Sequence, residues 1–261
     1  SSCGNLAMFS LLLLAAVVSA APTTPVPNDA FVNNYLVEFG YLPKPPTGVK
    51  TRPMSKEQIS TAIRDFQRTF HLKETGTLTE ETKDLMVKPR CGDPDKIIGG
   101  RKKRQSIQYK WRKQTVTYFI DGNVPNGLSM SFLRSEMRRA FNGWNQFAPG
   151  RRFVEASSMN AADIKLSFST SRQHDRSGDT YGPNVLAHAY FPEAGQVHFN
   201  MDYSWTTPDM IGSLFFHEIG HAIGLDHDTS HQMNLMYPAY ISGGAKHFAA
   251  GSINALRAAY P

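Results

Sequence analysis

The chain has 261 residues, of which 41% are hydrophobic and 19% are charged. This length accommodates one large domain or a catalytic domain with a smaller partner, and the composition excludes a disordered or fibrous protein. Most of the net charge of +6 lies upstream, because residues 22–104 carry 15 Lys and Arg against 10 Asp and Glu, whereas residues 105–261 carry 13 against 12. The nearly neutral downstream part argues against a nucleic-acid partner.

An apolar run occupies residues 8–18, and the small residues Ser19, Ala20 and Ala21 follow it. The run is too short to span a bilayer, and small residues are typical of a signal peptidase site. A buried helix is the alternative interpretation. The sequence therefore predicts a signal peptide over residues 1–21, a secreted extracellular product and no transmembrane span. That product would retain Cys91 as a lone thiol, which in an oxidising compartment needs a reason. Either Cys91 is simply a buried residue, or its thiolate is a zinc ligand.

Three short helices are predicted between residues 28 and 86. The first covers residues 28–39 and has apolar residues at helical spacing. Ser55 opens the second, with Gln58 in the capping-box position, and Thr79 caps the third. These helices predict a compact three-helix unit without evident chemistry of its own.

The next two segments are a cysteine loop and a basic run. Two prolines and a glycine in residues 89–95 favour an extended loop that presents Cys91. The basic run consists of Arg101, Lys102, Lys103 and Arg104. Such a run is often only solvated surface, but this one matches the four-residue pattern that furin-like proprotein convertases cut. We therefore predict a propeptide over residues 22–104, cleavage after Arg104, and a catalytic domain over residues 105–261.

Strands and helices are mixed from residue 105 onward. Strands are predicted at residues 115–120, 152–155, 164–169, 185–190 and 197–200. A long amphipathic helix is predicted at residues 130–147, another begins at Thr207 and Pro208, and a last one contains Leu256. This mixture predicts the α+β fold class.

The strongest chemical signal is an eleven-residue stretch that starts at His217. On a helix, His217 and His221 lie on the same face one turn apart. Gly224 lets the helix end and the chain turn back, so that His227 can reach the same ion. Three imidazoles suit a zinc site that keeps one position open for water, and Glu218 is suited to act as general base on that zinc-bound water. A lone pair of histidines is often only a polar face, but chance explains the full set poorly.

Three motifs together resemble those of the matrix metalloproteinases, the matrixin branch of the metzincins: the zinc stretch, Leu-Met-Tyr-Pro at residues 235–238, and the Cys91 loop. The resemblance covers nearly the whole chain after the signal segment. It implies a metzincin catalytic domain, with a twisted, mostly parallel five-stranded sheet and three helices, behind the three-helix propeptide. It also implies that Cys91 occupies the fourth zinc position in the zymogen, and that Met236 supports the zinc site from below.

The same resemblance implies a substrate-binding groove. Pro238 and Tyr240 would line the pocket for the substrate residue after the scissile bond, and Ser213 would make this pocket deep. The strand at residues 185–190 would pair with an extended protein or peptide substrate, with the carbonyl of Ala187 as a hydrogen-bond partner. A hydrophobic residue is expected directly after the cut.

A second, structural zinc is expected from the spacing of His174, His188 and His198. The family usually has an aspartate two residues after the first histidine, where this chain has Arg176. Asp175 would have to supply the fourth ligand from a shifted position, or else it is an ordinary loop residue.

Calcium sites are less complete than the family's pattern implies. Asp163, Asp179 and Asp202 remain as candidate oxygen ligands. Because calcium prefers six or more oxygen ligands, at least one of the usual sites is expected to be weakened or absent.

The sequence thus predicts a secreted zinc endopeptidase made as a latent zymogen, which cleaves extracellular matrix or other extracellular proteins. A furin-like convertase would activate it, proteinaceous metalloprotease inhibitors would bind it, and it would be a monomer. Because the chain stops at Pro261, the resemblance implies a minimal, matrilysin-like form without a hemopexin-like domain and with poor action on triple-helical collagen. The alternative is a catalytically inactive, secreted homologue that binds peptides. The intact Glu218 argues against it, because a binding protein needs no general base.

Overall fold

The computed structural model describes residues 27–44, 54–96, 107, 109–170, 181–182, 184–205 and 208–261. The predicted signal peptide and the basic run that ends at Arg104 lie outside the described residues. Within the described ranges, no helix has both the length and the apolar character that crossing a membrane requires.

The upstream unit consists of three helices: α1 (Asp29–Glu38), α2 (Lys56–Thr69) and α3 (Glu80–Met86). Each begins at a polar cap, because the side chains of Asn28, Ser55 and Thr79 accept hydrogen bonds from backbone N–H groups of the first turn. Gln58 completes the predicted capping box with Ser55. The apolar faces meet in one core around Phe66, which confirms the predicted three-helix unit.

The sheet is formed by β1 (Arg90–Cys91), β2 (Thr115–Gly122), β3 (Arg152–Glu155), β4 (Ile164–Ser169), β5 (Val185–Ala189) and β6 (Gln196–Asn200). Their spatial order is β1-β5-β6-β4-β2-β3, and every pairing is parallel except that of β5 with β6. Five strands are those predicted for the downstream domain, and the Cys91 loop adds the sixth at the β5 edge.

The downstream domain also contains the helices α4 (Met130–Asn145), α5 (Pro208–Ala222) and α6 (Ala250–Ala259), and a 3-10 turn at Met159–Ala161. The indole N–H of the buried Trp144 on α4 donates to the carbonyl of Phe216 on α5, at 2.8 Å. On another side of α5, the rings of Phe215 and Phe199 stack with centroids 4.7 Å apart. These contacts fix α5 between α4 and the sheet. The predicted cap, Thr207, lies outside the described residues.

The chain reverses at Gly224, directly after α5. Its φ of +110° favours glycine, and a Cβ at this position would lie 2.3 Å from the carbonyl oxygen of Tyr109. The turn is fixed from below by Tyr260, whose hydroxyl donates to the carbonyl of Ile223 at 2.8 Å. Residues after Gly224 therefore return beside the helix, as the sequence predicts.

The upstream core continues into the downstream domain. Val185, Tyr237 and Ala239 belong to the same buried cluster as the three upstream helices. The ring of Phe70 packs edge-on against that of Tyr237, with centroids 5.6 Å apart. The three-helix unit is therefore packed directly on the downstream domain, which places the Cys91 loop over α5.

Candidate metal centre and active site

Four potential metal ligands meet at the end of α5. The ligand atoms of Cys91, His217, His221 and His227 all lie within 4.8 Å of one another, and all four residues are buried. The helix supplies two histidines, the turn at Gly224 supplies the third, and β1 supplies the thiol from a segment more than a hundred residues upstream.

Backbone carbonyls set the orientation of the two helical imidazoles. The Nδ1 of His217 lies 2.7 Å from the carbonyl oxygen of Leu235, and the Nδ1 of His221 lies 2.6 Å from that of Leu225. Since a carbonyl oxygen can only accept, each Nδ1 carries the proton and each Nε2 is left as the donor atom toward a metal. Burial lowers the pKa of both histidines well below the usual value, so both are neutral, which is the state that binds metal.

These residues fit a zinc ion. The Nε2 atoms of His217 and His221 are 3.1 Å apart. Ligand atoms on one zinc ion, at bond lengths of about 2.0–2.3 Å, lie roughly 3–4 Å from one another. Three neutral imidazoles and one thiolate supply the four nitrogen and sulfur ligands that a tetrahedral zinc ion takes.

Glu218 lies in the same buried pocket with its charge uncompensated. Its side chain is fully buried, and neither carboxylate oxygen accepts a hydrogen bond from an N–H or O–H group of the described residues. Burial, followed by the charge of Asp93, raises the pKa of Glu218 well above its usual value. Such a carboxylate is a stronger base than one in water, and in this form the Cys91 thiol lies beside it.

Met236 packs beneath the two histidines. A Cβ at Gly220 would lie 2.4 Å from the Met236 sulfur, so only glycine allows the methionine this close to α5. The sulfur therefore lies against the helical turn between His217 and His221. The support of the zinc site by Met236, which the resemblance implies, stays a prediction.

The Cys91 loop lies between two walls of a groove and forms hydrogen bonds with both. On the β5 side, the N–H groups of Arg90 and Gly92 donate to Asn184 and Ala187. On the opposite side, the N–H of Cys91 donates to Pro238, and that of Tyr240 donates to Pro89. All four bonds measure 2.7–2.9 Å. The groove can therefore hold an extended peptide from both sides, and the predicted Ala187, Pro238 and Tyr240 are among its contacts.

A buried ion pair, which sequence reasoning missed, closes the Cys91 loop. Arg90 and Asp95 have fully buried side chains joined at 2.7 Å. Burial raises the pKa of Asp95, but Arg90 and the neighbouring His227 together lower it far below its usual value. The opposite charges on either side of Cys91 could have indicated an ion pair, but the sequence does not show that these side chains are buried.

A pocket opens beside His217. Ser213 and the predicted Pro238 and Tyr240 line it, together with apolar side chains such as Leu214. Lys246 also lines it, and burial lowers the pKa of this lysine to about 8. No sequence signal indicated Lys246, because it lies in an irregular loop far from any motif.

Two of the three histidines predicted for a second zinc come together. The Nε2 of His188 on β5 lies 2.9 Å from the Nδ1 of His198 on β6. His174 and Asp175 lie outside the described residues. The second zinc site therefore stays a prediction.

The candidate calcium ligands are not gathered in the described part of the chain. Asp163 accepts hydrogen bonds of 3.0 Å from the N–H and hydroxyl of Thr117, and it forms an ion pair with Lys113. Asp202 lies in the turn after β6, and Asp179 lies outside the described residues. Within the described ranges, no group of three His, Cys, Asp or Glu side chains forms at Asp163 or Asp202. Calcium binding stays a prediction.

Comparison with known proteins gives two family matches. A family model described as Matrixin matches residues 110–260, and one described as a peptidoglycan binding domain matches residues 27–86. Matrix metalloproteinase-19 of Mus musculus is 37% identical over 238 residues, which cover 87% of this chain and 43% of that protein. Neutrophil collagenase of Homo sapiens is 34% identical over 240 residues, which cover 89% of this chain and 50% of that protein.

This chain spans half or less of the length of these relatives. The Matrixin match nevertheless covers more than half of the chain and includes all three histidines of the metal centre. Its fold is the one that the resemblance implies, with a zymogen-type propeptide domain upstream. The protein therefore belongs to the matrixin family.

Proposed function

We propose that this chain is a secreted endopeptidase in its latent form, in which residues 22–104 block the catalytic domain at residues 105–261. The observation that supports the proposal best is the meeting of Cys91 with the three histidines within 4.8 Å. A thiol in this position occupies the place that a reacting water needs, since a catalytic zinc site keeps one position open.

His217, His221 and His227 would hold the zinc, which when bound lowers the pKa of a water molecule and polarises the scissile carbonyl. Glu218 would take a proton from the attacking water as its oxygen bonds to the carbonyl carbon. As the C–N bond breaks, Glu218 would return the proton to the leaving amine. The burial of Glu218 supports this role, because a general base works best when its pKa approaches the operating pH.

The propeptide segment around Cys91, called the prosegment from here on, indicates how a substrate would lie in the groove. An extended peptide that replaced it could form backbone hydrogen bonds to Ala187 on one wall and to Pro238 and Tyr240 on the other. The side chain after the scissile bond would enter the pocket lined by Ser213 and its apolar neighbours. We propose extended extracellular or matrix proteins as substrates, with a hydrophobic residue directly after the cut.

Six further proposals complete this function. Signal peptidase would remove residues 1–21, and a furin-like convertase would cut after Arg104. Proteinaceous metalloprotease inhibitors would bind the same groove, and the enzyme would be a monomer. His174, Asp175, His188 and His198 would hold a structural zinc. Calcium would bind at most weakly through Asp163, Asp179 and Asp202.

The test is conversion of the purified zymogen by furin, followed by assay of a quenched fluorescent peptide with leucine after the cut. We expect bound zinc before conversion, turnover only after it, and loss of turnover on addition of a chelator. A matched Glu218→Ala protein should retain zinc and peptide binding but not turnover. Equal turnover by both proteins would overturn the assigned mechanism. Peptide binding without turnover by the unmodified protein would instead support the inactive, peptide-binding alternative.

A further inference from the structure

A lysine gives the pocket beside His217 a charge that the function proposed above does not use. Lys246 lines this pocket together with Ser213 and Tyr240. The same three side chains also line a second cavity, whose walls include the loop at residues 243–246 and Phe216 on α5. Lys246 therefore lies where the two cavities meet, so a substrate side chain that fills the pocket comes to lie beside it.

The charge of Lys246 is not balanced by an acidic group. Its Nζ donates to the carbonyl oxygen of Gln232 at 2.7 Å, which uses one of the three N–H donors of the ammonium group. Within the described ranges, no Asp or Glu lines either cavity. Burial lowers the pKa of Lys246 to about 8, because no neighbouring carboxylate opposes this effect. The ammonium group therefore keeps donors for an acceptor that a ligand brings.

The two other cations around these cavities already have acidic partners. Arg90 lines the pocket in the latent form, but it belongs to the prosegment and is joined to Asp95. Arg139 lines the second cavity, where it forms an ion pair with Glu136 on the same helix. Removal of the prosegment takes Arg90 away. Of the described cations around the pocket, only Lys246 then lacks an acidic partner.

The other walls of the pocket are mostly apolar. Leu214 and Leu235 are among the side chains that form them. Apolar walls favour the methylene groups of an entering side chain, because contact removes both surfaces from water. A hydrogen bond between an ammonium group and a carboxylate is stronger where water is partly excluded. The pocket therefore suits a side chain with an apolar stem and an acidic end.

We propose that Lys246 is a specificity-determining residue, which lets the pocket bind a glutamate directly after the scissile bond as well as an apolar residue. This inference rests on the proposed function, because it needs a substrate side chain that enters this pocket. Glutamate combines two methylene groups with a carboxylate that accepts from the Nζ of Lys246. The substrates would then include extracellular proteins that are cut before a glutamate.

The experiment uses enzyme processed by furin and three peptides that differ only directly after the cut, where they carry glutamate, glutamine or leucine. Glutamine has nearly the shape of glutamate but no charge. The ratio of kcat/KM for glutamate to that for glutamine therefore measures recognition of the charge and cancels changes common to both peptides.

The variants separate the charge of the lysine from its other contacts. Lys246→Met keeps an apolar stem, and Lys246→Arg keeps the charge. Lys246→Gln is neutral but can still donate to Gln232, and it takes the place of Lys246→Met if the latter does not fold. Lys165→Met is the matched control, because Lys165 is also partly buried and lines neither cavity.

We expect the unmodified enzyme to cleave the glutamate peptide faster than the glutamine peptide. The ratio should fall about tenfold or more in Lys246→Met, because hydrogen bonds between charged groups are the strong ones. Lys246→Arg should keep most of the preference, and Lys165→Met should leave the ratio unchanged. A lysine that only supported the fold would lower turnover of all three peptides together and would not change this ratio. Equal ratios in the unmodified enzyme and Lys246→Met would overturn the inference.

The leucine peptide separates this failure from failure of the proposed function. If the unmodified enzyme cleaves it while the ratio is the same in all variants, only the role of Lys246 is excluded. If processed enzyme with bound zinc cleaves none of the three peptides, the proposed function itself is wrong.

Discussion

Replacement of Arg90 by methionine tests how the prosegment is held over the metal centre. The buried guanidinium donates to both oxygens of Asp95, at 2.7 and 3.2 Å, and to the Tyr35 hydroxyl at 2.5 Å. It also donates to the Cys91 carbonyl at 3.0 Å and lies 3.4 Å from the centroid of the Phe39 ring. Methionine fills much of the same volume but removes the only full positive charge beside Asp95 among the described residues, leaving the Tyr41 hydroxyl at 2.8 Å and the His227 Nδ1 at 3.1 Å as its remaining contacts.

Removal of one member of a buried ion pair costs about 3–5 kcal/mol. The substitution destabilises the docked state of the prosegment relative to the undocked state, because water solvates Asp95 once the loop leaves the groove. Since about 1.4 kcal/mol corresponds to a tenfold change in an equilibrium constant, the undocked population should rise roughly 10²- to 10³-fold.

The assay is the rate at which a thiol reagent modifies Cys91 in the uncleaved zymogen, because only the undocked thiol is accessible. Arg68→Met is the matched control, since Arg68 forms exposed ion pairs with Asp65 and Glu74 that contribute about 0–1 kcal/mol. After proteolytic removal of the prosegment, both variants should match the unmodified enzyme in turnover. Equal modification rates in Arg90→Met and Arg68→Met would refute the conclusion that the buried Arg90–Asp95 pair holds the Cys91 loop over the metal centre.

Three further predictions concern the catalytic domain. Glu218→Gln should lower kcat about 10²- to 10⁴-fold with unchanged zinc content, and a loss of zinc would show that Glu218 has a structural role instead. Gly220→Ala should lower the stability by about 1–3 kcal/mol in thermal unfolding, because its Cβ would lie 2.4 Å from the Met236 sulfur, and an unchanged Tm would contradict this packing. Burial lowers the pKa of Lys246 to about 8, so the lysine is charged below this pH and neutral above it. The kcat/KM for glutamate relative to leucine directly after the cut should therefore fall as the pH rises through this value, and Lys246→Met should abolish that dependence.

Local sequence patterns were sufficient for the secondary structure and for the core of the metal centre. The spacing of His217 and His221 matches a helical turn, and Gly224 is needed because its φ of +110° excludes most side chains. The capping box of Ser55 and Gln58 likewise fixes the start of α2. Each of these features depends on backbone geometry within a few residues, which is why the sequence alone predicts it.

Packing between the two domains decided the remaining features of the site. Strand β1 has two residues, which are too few to show the alternation of apolar and polar residues that predicts a strand. It forms because the edge of β5 offers backbone N–H and C=O groups for pairing. The burial of Arg90 with Asp95, the approach of Asp93 to His221 and the position of Lys246 in the pocket depend on segments far apart in the chain. The sequence by itself determined which residues could bind a zinc ion. The tertiary structure decided which charges are buried beside it, because desolvation depends on all the atoms that surround a group.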